Sequence, residues 1–236
     1  MAAGGADDPS VQAVVHQVLD MIKDGAKLGL GSGRASAAFI SALGDRVKKG
    51  LKVVGVPTSN ASERQAKELG IPLVELTDDL ELDMTIDGAD EVSPNLDLVK
   101  GWGGALVRER IVAEASKKQI ILVGPEKLVP TLGVRGRIPV EVIPLACGYV
   151  TRKLKALGMT PTIRKAMTDK PFITDNGNLT LDCAVATPIQ DGAAARKLEA
   201  AVLNIAGVVD TGLFLGTCEL VLVGQADGRV DTLKRK

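Results

Sequence analysis

MTIDGADEVSPNLDLVKGWGGALVRER, residues 84–110, holds the densest set of reactive side chains in the chain. A short apolar run ends in Asp87, and Asp90 follows three residues later. Lys100 then opens a glycine-rich turn, and Glu109 follows in what the pattern predicts to be the first turns of a helix. Two acids, one ammonium group and a further carboxylate are more polar groups than a structural turn requires. These four side chains are therefore the candidate catalytic residues.

Around this stretch, short apolar segments alternate with segments of helical periodicity. Such alternation is typical of a parallel sheet covered by helices on both faces, so the sequence predicts an α/β fold. Strands are predicted at residues 26–30, 53–56, 72–76, 82–86 and 119–123, and helices at residues 10–23, 35–43, 61–69 and 105–115.

Polar turns follow three of the predicted strands, at Gly31–Ser36, Thr58–Asn60 and Asp87–Glu91. In parallel sheets, ligands bind outside the carboxyl ends of the strands. We therefore expect these turns to converge on one ligand site. Lys127 follows the strand at 119–123 and is expected near the same edge, with an ordinary surface lysine as the alternative.

The first of these turns, GLGSGRAS at residues 29–36, lies between a strand and a helix. Backbone N–H groups and the positive end of a helix meet there, which suits a phosphate or a carboxylate. Ser32, Arg34 and Ser36 add side-chain donors, so an anion site is favoured over a merely tight turn. A dinucleotide fingerprint is disfavoured, because position 34 is Arg where a third glycine is required and the next strand ends without an acid.

The composition excludes several classes of protein. The 236 residues suffice for one large domain or two small ones, and the 29 basic residues balance 29 acidic ones, which argues against a nucleic-acid partner. The three cysteines are far apart and odd in number, so we expect reduced thiols and a cytoplasmic location. The small, acidic N-terminal residues do not resemble a signal peptide, and the absence of a long apolar run predicts no membrane partner.

From about Val134 the pattern changes to β-α-β-β-α-β, the arrangement of a small α+β domain. The last strands, at residues 219–224 and 230–233, are expected to return to the first domain. The predicted domains are therefore residues 1–133 with 214–236, and residues 134–213. Within the second, strands are predicted at residues 138–143, 160–164 and 208–213, a hairpin at 172–174 and 178–183, and helices at 146–157 and 191–203.

The motifs GLGSG, PTSNAS, DGADE, KGWGGALVRE, PVEVIP and DNGN occur in this order, and their spacing resembles ribose-5-phosphate isomerase of the type A family. The resemblance covers nearly the whole chain. It implies a Rossmann-like parallel-sheet domain with a smaller inserted ferredoxin-like α+β domain. It also implies a homodimer or homotetramer that interconverts ribose 5-phosphate and ribulose 5-phosphate in the pentose phosphate pathway, without metal or organic cofactor.

The resemblance assigns roles to individual residues. Glu109 corresponds to the proton-transferring base of the family, and Asp87, Asp90 and Lys100 to its other catalytic residues. Trp102 varies in the family; it is expected near the substrate without a chemical role, or as a hydrophobic lid or subunit contact. The implied substrate-binding residues are Ser32, Gly33, Arg34, Ala35, Ser36, Thr58, Ser59, Gly88, Ala89, Gly101, Trp102, Gly103 and Lys127.

The residue types suit this chemistry. Isomerisation moves a proton between carbons 1 and 2 through a cis-enediolate, so one carboxylate, Glu109, can serve both carbons. Lys100 and the amides of residues 101–104 can stabilise the enediolate oxygen. Because the sugar is mostly a closed ring in water, a proton shuttle must open it first, and either Asp87 or Asp90 suits that role.

Several alternatives stay open at this stage. Arg34 and Ala35 stand where the family usually has a Ser-Thr pair, so Arg34 takes over anion binding or the substrate is another sugar phosphate. A magnesium site of Asp87, Asp90 and Glu91 is a second alternative. A sugar-phosphate sensor domain would not need Glu109, and a CoA-transferase-like enzyme is expected to be larger. Fold alone does not choose among these classes.

Overall fold

The computed structural model describes residues 8–235, in which the chain divides into two compact units. Of the described residues, the first unit comprises 8–89, 108–127 and 217–235, and the second comprises 90–107 and 128–216. The elements follow in the order α1 (Pro9–Leu19), β1 (Ala26–Leu30), α2 (Arg34–Lys48), β2 (Val53–Pro57), α3 (Asn60–Glu68), β3 (Met84–Asp87), β4 (Glu91–Val92), β5 (Leu98–Val99), α4 (Leu106–Glu114), β6 (Gln119–Val123), β7 (Ile138–Val142), α5 (Cys147–Ala156), β8 (Met159–Ile163), β9 (Leu179–Val185), α6 (Gly192–Leu203), β10 (Val208–Thr211), β11 (Leu213–Phe214), β12 (Cys218–Gly224) and β13 (Val230–Lys234).

The first unit is built on a six-stranded sheet in the order β13-β12-β6-β3-β1-β2. All neighbouring pairs are parallel except β12 with β13, an antiparallel hairpin at the edge. Strand β6 is buried along its whole length, as a strand covered on both faces must be. Helices α1 and α2 pack on one face through an apolar core that includes Phe39, at 0% exposure.

Local sequence signals explain where these helices begin. Asp8 caps α1 by accepting from the Ser10 N–H at 2.9 Å, and Pro9 occupies the first helical turn, where its missing N–H costs nothing. Ser59 and Ser62 form a reciprocal capping box at the start of α3.

The second unit contains an antiparallel four-stranded sheet in the order β10-β7-β9-β8. This order, with α5 after β7 and α6 after β9, is the ferredoxin-like β-α-β-β-α-β arrangement. One sheet face packs on α5 and α6 through an apolar core. The opposite face carries polar residues, among them Glu141 opposite Thr180. A second sheet, β11-β5-β4, joins three very short strands.

The predicted fold class, an α/β parallel-sheet domain with a smaller ferredoxin-like one, is confirmed, and β12 returns to the first sheet as expected. The predicted domain boundaries stay a prediction. Within residues 8–235, no helix combines the length and apolar character needed to cross a membrane.

Three predicted strands are wrong in detail. Residues 72–76 form only one parallel bridge, between Leu73 and Gly55, because polar residues follow at once and the chain leaves the sheet edge. Residues 208–213 divide between β10 and β11, which belong to different sheets, and Gly212 between them lies against the Lys100 carbonyl. The first arm of the predicted hairpin, 172–174, is reduced to a bridge between Ile173 and Leu179.

Candidate active site

The carboxyl ends of three adjacent parallel strands carry the polar turns of the first unit. Strand β1 lies between β2 and β3, with Leu30 level with Pro57 on one side and Ile86 on the other. The turns that follow these strands therefore begin at one edge of the sheet. The structure joins them through Ser32, whose N–H donates to the Asp87 carboxylate and whose hydroxyl bonds to that of Thr58.

Asp87 is the buried centre of this cluster, with 0% of its surface exposed. Its Oδ1 accepts hydrogen bonds from the Ser32 N–H at 3.0 Å, the Ser36 hydroxyl at 3.0 Å and the Gly88 N–H at 2.8 Å. Three donors on one oxygen fix the orientation of the carboxylate. Gly31 makes this approach possible, because a Cβ there would overlap the Asp87 carboxylate.

A hydroxyl cluster lies beside Asp87. The Ser32 hydroxyl is 2.8 Å from that of Thr58 and donates to that of Ser59 at 2.7 Å. Thr58 and Ser59 are buried, whereas Ser32 is partly exposed. This arrangement presents Ser32 as the polar group of the cluster that solvent or a ligand can reach.

The N-terminus of α2 lies in the same turn. Gly33 precedes the helix with a φ of 89° and offers no side chain to cap it. The 15-residue helix directs the positive end of its dipole to this turn, where Arg34 is exposed and Ala35 is partly buried. Amide donors, a guanidinium group and a helix dipole together suit a phosphate group.

Glu109 is buried, at 5% exposure, near the start of α4. The end of α4 is level with the start of β3, since the Leu82 N–H donates to the Ala115 carbonyl at 3.0 Å. One turn after Glu109, Val112 accepts from the Thr85 hydroxyl at 3.1 Å. The helix thus runs antiparallel to β3, and Glu109 is placed towards the carboxyl end of β3, the end that carries Asp87.

Lys127 ends a short 3-10 helix, Pro125–Lys127, directly after β6. Strand β6 neighbours β3, with Ile121 level with Asp87, so Lys127 also follows the carboxyl edge of the sheet. Gly88 and Ala89 follow Asp87 at that edge.

The second unit carries the other candidate residues. Asp90 Oδ2 accepts from the Trp102 N–H at 2.9 Å, and the Asp90 N–H donates to the Val99 carbonyl at 2.8 Å. Lys100 is buried, at 2% exposure, and its ammonium lies 5.5 Å from the centroid of the Phe214 ring. The Lys100 N–H donates a hydrogen bond to the Gly212 carbonyl at 2.9 Å.

The glycine-rich turn after Lys100 needs its glycines at defined positions. Gly101 and Gly104 have φ angles of 95° and 88°, which disfavour other residues. A Cβ at Gly101 would overlap Leu106, and one at Gly104 would overlap the Phe172 ring. Gly103 faces open space.

Glu91, a member of the magnesium alternative, has a structural role in the second unit. It is fully buried and accepts from the Gly133 and Arg135 N–H groups at 2.5 and 2.6 Å. Burial raises the pKa of its carboxyl group, against the lowering effect of these two donors. Within residues 8–235, no three acidic, histidine or cysteine side chains group closely enough to hold a metal ion. The magnesium alternative therefore has no support in the described part of the chain.

Arg164 and Asp182 were not predicted from the sequence. Arg164 donates to the carbonyls of Gly101 and Trp102 and pairs with Asp182. Both lie more than 60 residues downstream of the turn, and no local pattern marks either of them, so only the tertiary structure reveals their contacts.

The parallel sheet with amide, hydroxyl and carboxylate groups at its carboxyl edge, together with the ferredoxin-like unit, defines an α/β protein of the Rossmann-like class with a site suited to an anionic ligand. The family model described as ribose 5-phosphate isomerase A (phosphoriboisomerase A) matches residues 54–228. The chain belongs to the ribose 5-phosphate isomerase A family, and the predicted resemblance is confirmed.

Individual relatives agree with this assignment. Ribose-5-phosphate isomerase A of Parvibaculum lavamentivorans is 44% identical over 230 residues, which cover 94% of this chain and 96% of that protein. The solved ribose 5-phosphate isomerase A from Methanocaldococcus jannaschii is 39% identical, with a TM-score of 0.89 over 98% of this chain and 100% of that one. A solved D-ribose-5-phosphate isomerase in complex with phospho-erythronic acid is 35% identical, with a TM-score of 0.90 over 99% of this chain and 100% of that one.

Proposed function

We propose that this chain interconverts ribose 5-phosphate and ribulose 5-phosphate through a cis-enediolate, with Glu109 as the base. The observation that carries the proposal is the family match over residues 54–228, because that region contains Asp87, Asp90, Lys100 and Glu109. The non-oxidative pentose phosphate pathway is the metabolic setting that this reaction implies.

In the proposed mechanism, Glu109 removes the proton from carbon 2 of the open-chain aldose and returns it to carbon 1. Its burial keeps bulk water from competing for the proton. A positioned base of this kind contributes on the order of 10²–10⁴-fold to the rate. One carboxylate suffices, because the two carbons are neighbours in the planar enediolate.

Lys100 supplies the positive charge that the enediolate oxygen requires. Its ammonium group is buried, where charge–charge interactions are less screened than in water. Of the following turn, the Gly101 amide is the proposed additional donor, because the Trp102 N–H donates to Asp90 and the Gly104 N–H donates to the Gly101 carbonyl.

Ring opening is assigned to Asp90, and orientation of the substrate to Asp87. Asp87 Oδ1 already accepts three hydrogen bonds within its own cluster, which suits a fixed acceptor better than a group that moves protons. Asp90 is held by the Trp102 N–H through Oδ2 and is the proposed proton shuttle.

The phosphate is proposed to bind at the N-terminus of α2, with Ser32, Gly33, Arg34, Ala35 and the Ser36 amide. The exposed guanidinium of Arg34 replaces donors that the family's usual Ser-Thr pair would supply. The relative solved with phospho-erythronic acid supports a phosphorylated sugar acid or sugar as the kind of ligand. Thr58, Ser59, Gly88, Ala89, Gly101, Trp102, Gly103 and Lys127 complete the proposed substrate-binding set.

A metal-free, cytoplasmic enzyme that forms a homodimer or homotetramer is part of the same proposal. No disulfide joins the three cysteines, all of which lie within residues 8–235, and this suits a reducing compartment. The second unit exposes several large apolar side chains, such as Leu145 at 97% and Ile173 at 55%, which suits a subunit contact.

The decisive test is a coupled assay with ribose 5-phosphate in the presence of EDTA, applied to the parent and to Glu109→Gln. Turnover should survive EDTA and should fall by about 10²-fold or more in the variant. Glu114→Gln is the matched control, since it makes the same change on an exposed side chain of the same helix and should leave turnover unchanged. Loss of activity in EDTA would contradict the metal-free mechanism.

Arg34→Ala tests the phosphate assignment separately. The Michaelis constant for ribose 5-phosphate should rise by about tenfold or more, because a charge-assisted hydrogen bond to a dianion is lost. An unchanged Michaelis constant would refute the role of Arg34. If the parent turns over another sugar phosphate faster than ribose 5-phosphate, the substrate assignment itself is wrong.

A further inference from the structure

Arg164 is a buried arginine whose guanidinium group donates hydrogen bonds to the glycine-rich turn that follows Lys100. It is 9% exposed, and its Nη1 donates to the Gly101 carbonyl at 3.0 Å and to the Trp102 carbonyl at 3.1 Å. Two successive peptide groups are thus fixed by one side chain.

The position of Arg164 is itself fixed by Asp182. The Nε and Nη2 atoms of Arg164 donate to the two carboxylate oxygens of Asp182 at 3.0 and 2.5 Å, in a bidentate pair. Only 13% of the Asp182 side chain is exposed, and Arg137 donates to it as well at 3.1 Å. This pair leaves Nη1 of Arg164 directed at the turn.

The Gly101 carbonyl, one of the two that accept from Arg164, belongs to the same peptide group as the Trp102 N–H. In a trans peptide the C=O and the N–H point in opposite directions. With the Gly101 carbonyl directed at Arg164, the Trp102 N–H is directed away from it, and it donates to Asp90 Oδ2 at 2.9 Å. Arg164 and Asp90 are therefore linked through one rigid peptide plane.

Glycine makes this restraint necessary. The peptide between Gly101 and Trp102 rotates through ψ of Gly101 and φ of Trp102. Because glycine has no Cβ, its backbone angles are less restricted, so this peptide can rotate more easily than one between bulkier residues. A rotation of that peptide would replace the N–H that faces Asp90 by a carbonyl oxygen, which a carboxylate repels. The Gly104 N–H also donates to the Gly101 carbonyl at 3.0 Å, and Arg164 adds a charged donor to the same oxygen. Together they favour the orientation that keeps the N–H on Asp90.

We propose that Arg164, anchored by Asp182, is a positioning residue for Asp90 in ring opening, acting through the Gly101–Trp102 peptide. The inference rests on the proposed isomerase function. In ring opening, the C1–O4 bond breaks and its electron pair moves to O4. The O1 hydroxyl loses a proton as the C1 carbonyl forms, and O4 gains a proton. Asp90 carries this proton, so its orientation controls the step.

The two substrates differ in their need for this step. Ribose 5-phosphate closes to a furanose through its C4 hydroxyl. Ribulose 5-phosphate has its carbonyl at C2 and its C5 hydroxyl esterified, so it cannot form a five-membered ring. Removal of its C1 proton therefore requires Glu109 but no ring opening.

The test uses Arg164→Lys, which keeps the charge opposite Asp182 but cannot reach that carboxylate and both carbonyls at once. We expect kcat/KM for ribose 5-phosphate to fall by about tenfold to a hundredfold. Exchange of the C1 proton of ribulose 5-phosphate with D2O, followed by proton NMR, should proceed at the parent rate. Glu109→Gln should abolish both reactions.

Controls separate positioning from general damage. Arg152→Lys makes the same change at an exposed arginine of the same unit and should alter neither measurement. Asp182→Asn should reproduce the selective loss, and it replaces Arg164→Lys if that variant does not fold. An equal loss in both reactions, or no loss in either, would overturn the inference. A parent protein that is inactive in both measurements would overturn the proposed function, and this inference with it.

Discussion

The hydroxyl of Ser36 donates to Asp87 with Oγ and Oδ1 3.0 Å apart, and both side chains are fully buried. Ser36 lies in the first turn of α2 and Asp87 ends β3, so this bond joins the helix N-terminus to the strand that delivers the candidate aspartate. A buried carboxylate that loses a donor keeps the cost of its desolvation, so the bond affects both stability and orientation.

Ser36→Ala should therefore lower the free energy of unfolding by about 1.5–3 kcal/mol, the range for a hydrogen bond to a charged group. Urea denaturation measures this, and kcat should fall in the same variant because Asp87 loses one of its restraints. Ser41→Ala, at an exposed position of the same helix, should change the stability by less than about 0.5 kcal/mol. Equal unfolding midpoints for the two variants would contradict the importance of the bond.

Gly31→Ala should be more damaging to activity than to folding. The added Cβ overlaps the Asp87 carboxylate and the Ile86 carbonyl, so the carboxylate must leave its three donors. We expect a loss of about 1–3 kcal/mol in stability, together with a large fall in kcat.

Gly148→Ala is the matched glycine substitution. Gly148 lies within α5 with no atom near its added Cβ, so this change should stabilise the protein by about 0.5–1 kcal/mol. Thermal unfolding of both variants measures these changes in stability. An unchanged melting temperature for Gly31→Ala would show that Asp87 is not closely packed.

Glu91 should make the stability depend on pH. Burial raises its pKa in the folded protein above the ordinary value of 4.5, so the folded state holds this proton more tightly than the unfolded state. The stabilisation from this group is present below pH 4.5 and is lost as the pH rises through the folded pKa.

Glu91→Gln removes this titration. Its free energy of unfolding should be lower overall, because the amide offers one acceptor where the Gly133 and Arg135 N–H groups need two. It should also lack the fall above pH 4.5 that the parent shows. Parallel curves of stability against pH for parent and variant would contradict the raised pKa of Glu91 in the folded protein.

The three thiols should differ in reactivity. Burial raises the pKa of Cys183 to about 12, and Cys218 is also buried, whereas Cys147 is partly exposed. In the native protein at pH 8, DTNB should label one thiol rapidly, and Cys147→Ser should remove that reaction. Denaturation should expose all three. Rapid labelling of two thiols in the native state would contradict the buried position of Cys183 or Cys218.

Much of the first sheet was predictable because its signals are local. The apolar runs at β1, β2, β3 and β6 and the turns after them are contiguous in sequence, and parallel pairing places the ends of such strands at one edge. The strands β4, β5 and β11 escaped prediction, because two-residue strands carry too little periodicity to distinguish them from a loop. The turn between β4 and β5 contains Leu96 with a φ of 58°, so no glycine marks this turn in the sequence.

By itself, the sequence determined the class of fold, the family and the residue types available for chemistry. Asp87, Asp90, Lys100 and Glu109 stand in motifs whose spacing is short and fixed, so a reader of the sequence can find them. Only the tertiary structure decided that Asp87 accepts from Ser32 and Ser36, more than 50 residues away, and that Arg164 and Asp182 fix the peptide that donates to Asp90. The physical reason is that hydrogen-bond partners of buried polar groups are chosen by the packing of distant elements, which no local pattern encodes.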